Sequence, residues 1–169
     1  VTGSKLKAGD VVLGVESSGI HSNGLSLARK VLLQKHRVDE KMPELGRSFG
    51  EELLVPTRIY VKPALEVLQS GVKVSGLAHI TGGAFTKLKR IGDLAGVGFN
   101  LDHMPKPLKV FELMQREGDI SDEEMYRTFN MGIGFCICTA QRYAEEVKSI
   151  FQKYGMATHK IGRVVLDIG

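Results

Sequence analysis

Val11-Val12-Leu13-Gly14-Val15-Glu16 runs into Ser17-Ser18-Gly19-Ile20-His21-Ser22-Asn23-Gly24, and Leu25-Ser26-Leu27-Ala28-Arg29-Lys30 follows. The first six residues are valine-rich and apolar until Glu16, the composition of a buried strand. Serines and two glycines then break the run. A helix is expected over 23–34 with Ser22 as its N-cap, because a serine hydroxyl can accept an unpaired N–H of the first turn. A strand, a glycine-serine turn and a helix in immediate succession predict a sheet with helices packed on it.

The same alternation continues outward. Residues 37–50 carry Pro43, Gly46 and Gly50 and read as an excursion loop. An amphipathic segment over 60–68 reads as a helix, with Pro63 placed to interrupt its first turn. A second strand over 72–79 leads into Thr81-Gly82-Gly83-Ala84 and a short helix to residue 90. A third strand is expected at 96–101, then helices at 108–116 and 122–129. Ser121-Asp122-Glu123-Glu124 has the spacing of a capping box for the second of these. A fourth strand at 133–138 precedes a helix at 140–154, in which Tyr143, Val147, Ile150, Phe151 and Tyr154 form one apolar stripe suited to core packing. A last strand occupies 157–166. The expected fold is α/β: one mixed sheet with helices available for both faces, in a single domain.

Composition narrows the function classes. The chain has 169 residues, 43% hydrophobic and 25% charged, an ordinary globular balance for one domain. No apolar run approaches the roughly 18 residues of a membrane span. The start, Val1-Thr2-Gly3-Ser4-Lys5, lacks the apolar stretch of a signal peptide and an initiator methionine, so a piece of a longer protein is expected. Lys and Arg total 23 against 19 Asp and Glu, a net charge of +4 spread along the chain. The densest basic stretch, Lys87-Leu88-Lys89-Arg90, has no interleaved aromatic residue, which disfavours nucleic acid. Cys136 and Cys138 alternate in Gly134-Phe135-Cys136-Ile137-Cys138-Thr139, placing both thiols on one strand face as small buried side chains. No second Cys/His cluster accompanies them, so no metal ligand is assigned. Their use fits a reducing, cytoplasmic setting.

Three glycine-marked junctions carry the candidate chemistry. Ser17 to Gly24 turns from strand to helix, where free N–H groups and the helix dipole attract phosphate. Serine hydroxyls add donors there, and His21 can donate a hydrogen bond or shuttle a proton near neutral pH. No Gly-Lys-Ser/Thr follows, so this is not a Walker A loop. His79-Ile80-Thr81-Gly82-Gly83 repeats the pattern: paired glycines admit a ligand close to the backbone. His79 continues an apolar strand and is expected to be a hydrogen-bonded core histidine. In Arg127-Thr128-Phe129-Asn130-Met131-Gly132-Ile133-Gly134, Asn130 and Gly132 suit a left-handed helix end, and Arg127 is positioned to meet an anion. Together the junctions suggest a phosphorylated small molecule held at the strand ends. No Ser-His-Asp order or pair of carboxylates at metal spacing is legible.

Four stretches, in order, carry a family resemblance: residues 17–30 above, Leu54-Val55-Pro56-Thr57-Arg58-Ile59-Tyr60-Val61-Lys62, Ala78-His79-Ile80-Thr81-Gly82-Gly83, and Glu124-Met125-Tyr126-Arg127-Thr128-Phe129-Asn130-Met131-Gly132. The chain resembles the C-terminal domain of the aminoimidazole ribonucleotide synthetase (phosphoribosylformylglycinamidine cyclo-ligase) family. The resemblance implies a three-layer α/β/α fold, partly ferredoxin-like, and a missing N-terminal ATP-binding half without which the chain is inactive. It implies ATP-dependent ring closure of formylglycinamidine ribonucleotide in purine biosynthesis, with ATP and Mg²⁺ bound mainly through that absent half, and a homodimer. Carried over by position, Ser18, Gly19, Ser22, Asn23 and Gly24 hold phosphate and His21 transfers a proton. Thr81, Gly82 and Gly83 approach the substrate or the reacting phosphoryl group, and Arg127 and Asn130 line the cleft. Ala84 departs from the family, which often has a third glycine there. The alternatives are a related ATP-using enzyme (formylglycinamide ribonucleotide amidotransferase, selenophosphate synthetase or a hydrogenase-maturation protein) and a non-catalytic phosphate-binding module.

Overall fold

The computed structural model describes residues 1–166. In chain order the elements are β1 (Val11–Glu16), α1 (Leu25–Leu32), β2 (Lys41–Met42), β3 (Arg47–Ser48), α2 (Phe49–Leu53), α3 (Val61–Gln69) and β4 (Val74–His79). Then come α4 (Thr86–Asp93), β5 (Val97–Asn100), α5 (Lys109–Gly118), α6 (Asp122–Thr128), β6 (Ile133–Thr139), α7 (Ala144–Lys153) and β7 (Thr158–Leu166). A five-stranded sheet runs in the order β4-β6-β1-β7-β5.

The α/β class and the helix-covered sheet are as expected, with one correction. Every pairing in the sheet is antiparallel, where a mixed sheet was expected. Period-two alternation identifies a strand but is blind to the direction of its neighbour. Val12 faces Cys138 on one side and Gly162 on the other, with β1 at the centre.

Alternation along β1 and β6 sorts side chains into two layers. Val12, Cys136 and Cys138 join Leu88 of α4 on one face. Val11, Leu13, Val15 and Ile137 join Val67 of α3 and Val147 and Phe151 of α7 on the other. A third cluster gathers α1, α2, α5 and α6 around Ile20, Phe129 and Met131, where β1 ends and β6 begins. Both thiols are fully buried. Burial pushes Cys138 up to about 12 and Cys136 up as well, so neither supplies thiolate at neutral pH. Both are expected to react with a thiol reagent only as fast as the chain unfolds; rapid labelling of the native chain would contradict this core placement.

Local differences have local causes. Residues 37–50 are not one loop: they contain the β2–β3 hairpin and the start of α2. Ser48 and Glu51 form a reciprocal capping box there, a Ser-x-x-Glu signal present in the sequence. At 121–124 only half of the expected box forms, because Glu124 turns its carboxylate to Thr128 and Arg127. Pro63 leaves α3 intact, since it is the third helical residue and its missing N–H has no helical acceptor. Tyr154 leaves the apolar stripe of α7 and bonds Glu66 of α3 at 2.7 Å.

Candidate functional site

The antiparallel register brings the ends of β1 and β4 to the same edge as the start of β6: Glu16 lies opposite Ile133, and His79 opposite Phe135. The loops leaving these strands therefore converge. Segment 54–60, which precedes α3, joins them from the side.

Asn130 fastens the convergence. It is 3% exposed. Its Oδ1 accepts the Ser17 hydroxyl at 2.9 Å and the Gly132 N–H at 2.8 Å, and its Nδ2 donates to the Gly19 carbonyl at 2.9 Å. Asn130 is thus a brace inside the loop rather than the cleft-wall contact expected for it. The Ser18 hydroxyl donates to the Pro56 carbonyl at 2.7 Å, and the Ser22 and Thr57 hydroxyls lie 3.2 Å apart. Ser22 is therefore not the N-cap of α1. That position falls to Gly24, in the left-handed region at φ 72°, and the first turn of α1 has no side-chain cap. Its N–H groups stay available to a ligand.

His21 differs from expectation most. It is 3% exposed, and its Nε2 accepts the Ser18 N–H at 3.1 Å. The neutral ring then carries its proton on Nδ1, which is buried and unpartnered among the described residues. Burial, then His79 and Arg58, lower its pKa from 6.5 to about 4. A proton shuttle at neutral pH needs a pKa near 7 and access to the reacting atoms; His21 has neither and serves as a post for Ser18. Between pH 4 and 6.5 the unfolded chain takes up the proton that folded His21 refuses, so stability falls as pH is lowered through that window. His79, whose pKa is also lowered by burial and then by Lys87, adds in the same sense. Urea midpoints compared at pH about 7 and about 5 should drop in the native chain and drop less in His21→Gln; an equal drop in both would contradict the placement.

His79 is not in the core. The last residue of edge strand β4, it is exposed, with its ring edge-on to Tyr60 at 5.7 Å and 6.2 Å from Phe135. Tyr60, 5% exposed, donates to the Glu16 carbonyl at 2.9 Å. A side chain at Gly134 would collide with the Tyr60 hydroxyl at 2.0 Å and with His21 Cε1 at 2.8 Å, so glycine alone allows this close approach. Thr57, Arg58, Tyr60, His79 and Phe135 wall a groove of about 400 Å³ against α3.

Arg58 is the residue that pattern reading missed. Its Nη1 is buried without a partner among the described residues, and its charge depresses the pKa of both His21 and Tyr60. A buried guanidinium nitrogen with no partner calls for an anion. It stands in an irregular stretch with no periodicity to mark it; the one available signal was an arginine wedged between Pro56 and a helix start.

The Thr-Gly-Gly turn closes the ring of loops. A Cβ on Gly82 would sit 3.2 Å from Asn23 Oδ1, which places the two glycine turns side by side. Gly82 and Gly83 are exposed. Ala84, at φ 41°, has its methyl in the core with Ile80 and Leu88, so the departure from a third glycine leaves the outer side of the turn open. Of four non-glycine residues in the left-handed region, His21, Ala84 and Met131 belong to these loops. Such strain persists where surrounding structure over-determines it, and functional loops are where it collects. Arg127 does not join them: it pairs with Glu124 on the surface of α6. Among the described residues no group of three His, Cys, Asp or Glu could hold a metal ion, and no helix is long and apolar enough to cross a membrane.

Residues 7–167 match the family model described as AIR synthase related protein, C-terminal domain. Phosphoribosylformylglycinamidine cyclo-ligase of Methanocaldococcus jannaschii is 52% identical over 168 residues, covering 98% of this chain and 47% of that protein. The enzyme of the same name from Methanothermobacter thermautotrophicus is 48% identical, covering 97% and 47%. The chain spans about half the length of the curated relatives it matches. In fold it resembles HypE–HypF complex (TM-score 0.65, 21% identity, 98% of this chain and 49% of that one). It also resembles T. maritima PurL complexed with ATP (TM-score 0.54, 16% identity, 96% and 22%).

Proposed function

The chain belongs to the AIR synthase related protein family as its C-terminal domain, and from that premise we propose that it supplies the phosphate-anchoring half of a cyclo-ligase active site. The reaction is ATP-dependent closure of formylglycinamidine ribonucleotide to aminoimidazole ribonucleotide, a step of purine biosynthesis. In that chemistry the γ-phosphoryl group of ATP moves to the formyl oxygen and leaves ADP. A nitrogen of the same molecule then attacks the formyl carbon, the C–O bond breaks and phosphate departs. The oxygen becomes a good leaving group, and one C–N bond is formed.

The carrying observation is the unpartnered, buried Nη1 of Arg58 among loops of two signature motifs. In this reading Arg58, Ser18, Ser22 and the open first turn of α1, with Asn23 and Gly24, receive the 5′-phosphate of the ribonucleotide. Gly19 and His21 shape that loop from within. Thr81, Gly82 and Gly83 face the reacting end of the substrate. The donor set, rich in N–H groups and cations and without a carboxylate cluster, fits phosphate and not Mg²⁺. The magnesium that offsets ATP's charge is assigned to the half present in the longer relatives. We place the working enzyme in the cytoplasm as a homodimer, and the chain alone should not turn over.

Calorimetric titration with formylglycinamidine ribonucleotide tests the assignment. Binding is expected, weakened at least about tenfold in Arg58→Gln, as suits loss of a charge-assisted contact, and absent for the dephosphorylated nucleoside. Equal affinity for ribonucleotide and nucleoside would overturn it. Ring closure catalysed by this chain alone would overturn its role as half a site.

A further inference from the structure

Lys87 lies in the first turn of α4, and its Nζ donates to the Thr81 hydroxyl of the Thr-Gly-Gly turn. No carboxylate is paired with it among the described residues; Lys89, two residues on, takes Asp93. It is partly buried, and its charge reaches His79 across the turn. The turn thus carries a cation with only a neutral hydroxyl for company, beside two exposed glycines whose backbone a ligand can approach. Arg58 stands on the other side of His79, in the wall of the groove.

We propose that Lys87 and the Thr81-Gly82-Gly83 turn form a second anion subsite, taking a phosphoryl group while Arg58 and loop 17–24 hold a phosphomonoester. The inference rests on the reading above and extends it by one residue and one ligand group. Thr81 parks the ammonium while the subsite is empty, since a hydroxyl is a weak enough partner to be exchanged for a phosphoryl oxygen. Two separated cations suit two anions better than one: a single phosphate drawn to either would leave the other without a counter-charge.

The test uses the ¹⁵N-labelled chain, ribose 5-phosphate and inorganic phosphate. Ribose 5-phosphate is added to saturation, and phosphate is then titrated while the Gly82 and Gly83 amides are followed. The expected result is a second, saturable shift of those amides, weakened at least about tenfold in Lys87→Gln and kept in Lys87→Arg. Lys87 is on the surface of a helix, and an unchanged spectrum elsewhere certifies the fold of each variant. Phosphate shifts that are absent, or equal in Lys87→Gln and the native chain, overturn the inference and leave the Arg58 reading standing. Lys87-dependent phosphate binding without any binding of ribose 5-phosphate supports the second subsite and overturns the first.

Discussion

Asn130→Ala is expected to be among the most destabilising single substitutions in the chain, lowering its stability by about 3 kcal/mol in urea unfolding. One side chain makes three buried hydrogen bonds, to the Ser17 hydroxyl, the Gly132 N–H and the Gly19 carbonyl. Its removal leaves all three partners unsatisfied where little water reaches, and an unsatisfied buried polar group loses about 1–3 kcal/mol. Asn130→Asp separates the parts: it keeps the two acceptor bonds, loses the donor to Gly19 and buries a charge. Its amide exchange should stay slow at Gly132 and quicken in the turn around Gly19. Stability within about 0.5 kcal/mol of native in Asn130→Ala would mean that the loops are not braced as described.

Gly24→Ala should have a loss of similar size from a different cause. Gly24 sits at φ 72°, and a Cβ there would lie 2.2 Å from Cε1 of Phe129. The ring cannot withdraw, because Phe129 is fully buried with Phe111 5.9 Å away, centroid to centroid. Overpacking of this kind loses about 1–3 kcal/mol and the left-handed backbone about one more, together roughly 3 kcal/mol. Phe129→Leu in the same chain removes much of the collision and should recover part of the loss, a coupling that a double-mutant cycle reads directly. Simple additivity of the two substitutions would contradict the contact. The functional consequence is displacement of the open first turn of α1, so ribose 5-phosphate binding should weaken even where the fold survives.

What the sequence made legible follows from range. Strand β1, its turn and its helix are encoded within about two turns of chain, and the alternating Cys136 and Cys138 report one face of β6 without help from elsewhere. Asn130 looked like an ordinary helix end because its two distant partners, Ser17 and Gly19, are 113 and 111 residues away. His79 followed an apolar strand, yet its exposure depends on which helix covers that corner, and α3 leaves it open. Arg58 has no secondary structure to carry a pattern. The direction of strand pairing belongs to the same class, since alternation is identical in parallel and antiparallel neighbours. The phosphate loops themselves were found because glycine and serine at a strand end are a local signal. Which side chains complete them was not, because completion is tertiary.

The central claim is that four loops fold into one cradle for a phosphate with Arg58 at its centre. The most direct measurement is a titration of the ¹⁵N-labelled chain with ribose 5-phosphate, set against ribose. The account predicts saturable shifts confined to the amides of 18–27 and the neighbouring 57–60 segment with the phosphate alone, and their loss in Arg58→Gln. Shifts that ribose reproduces, or that persist undiminished in Arg58→Gln, would contradict it.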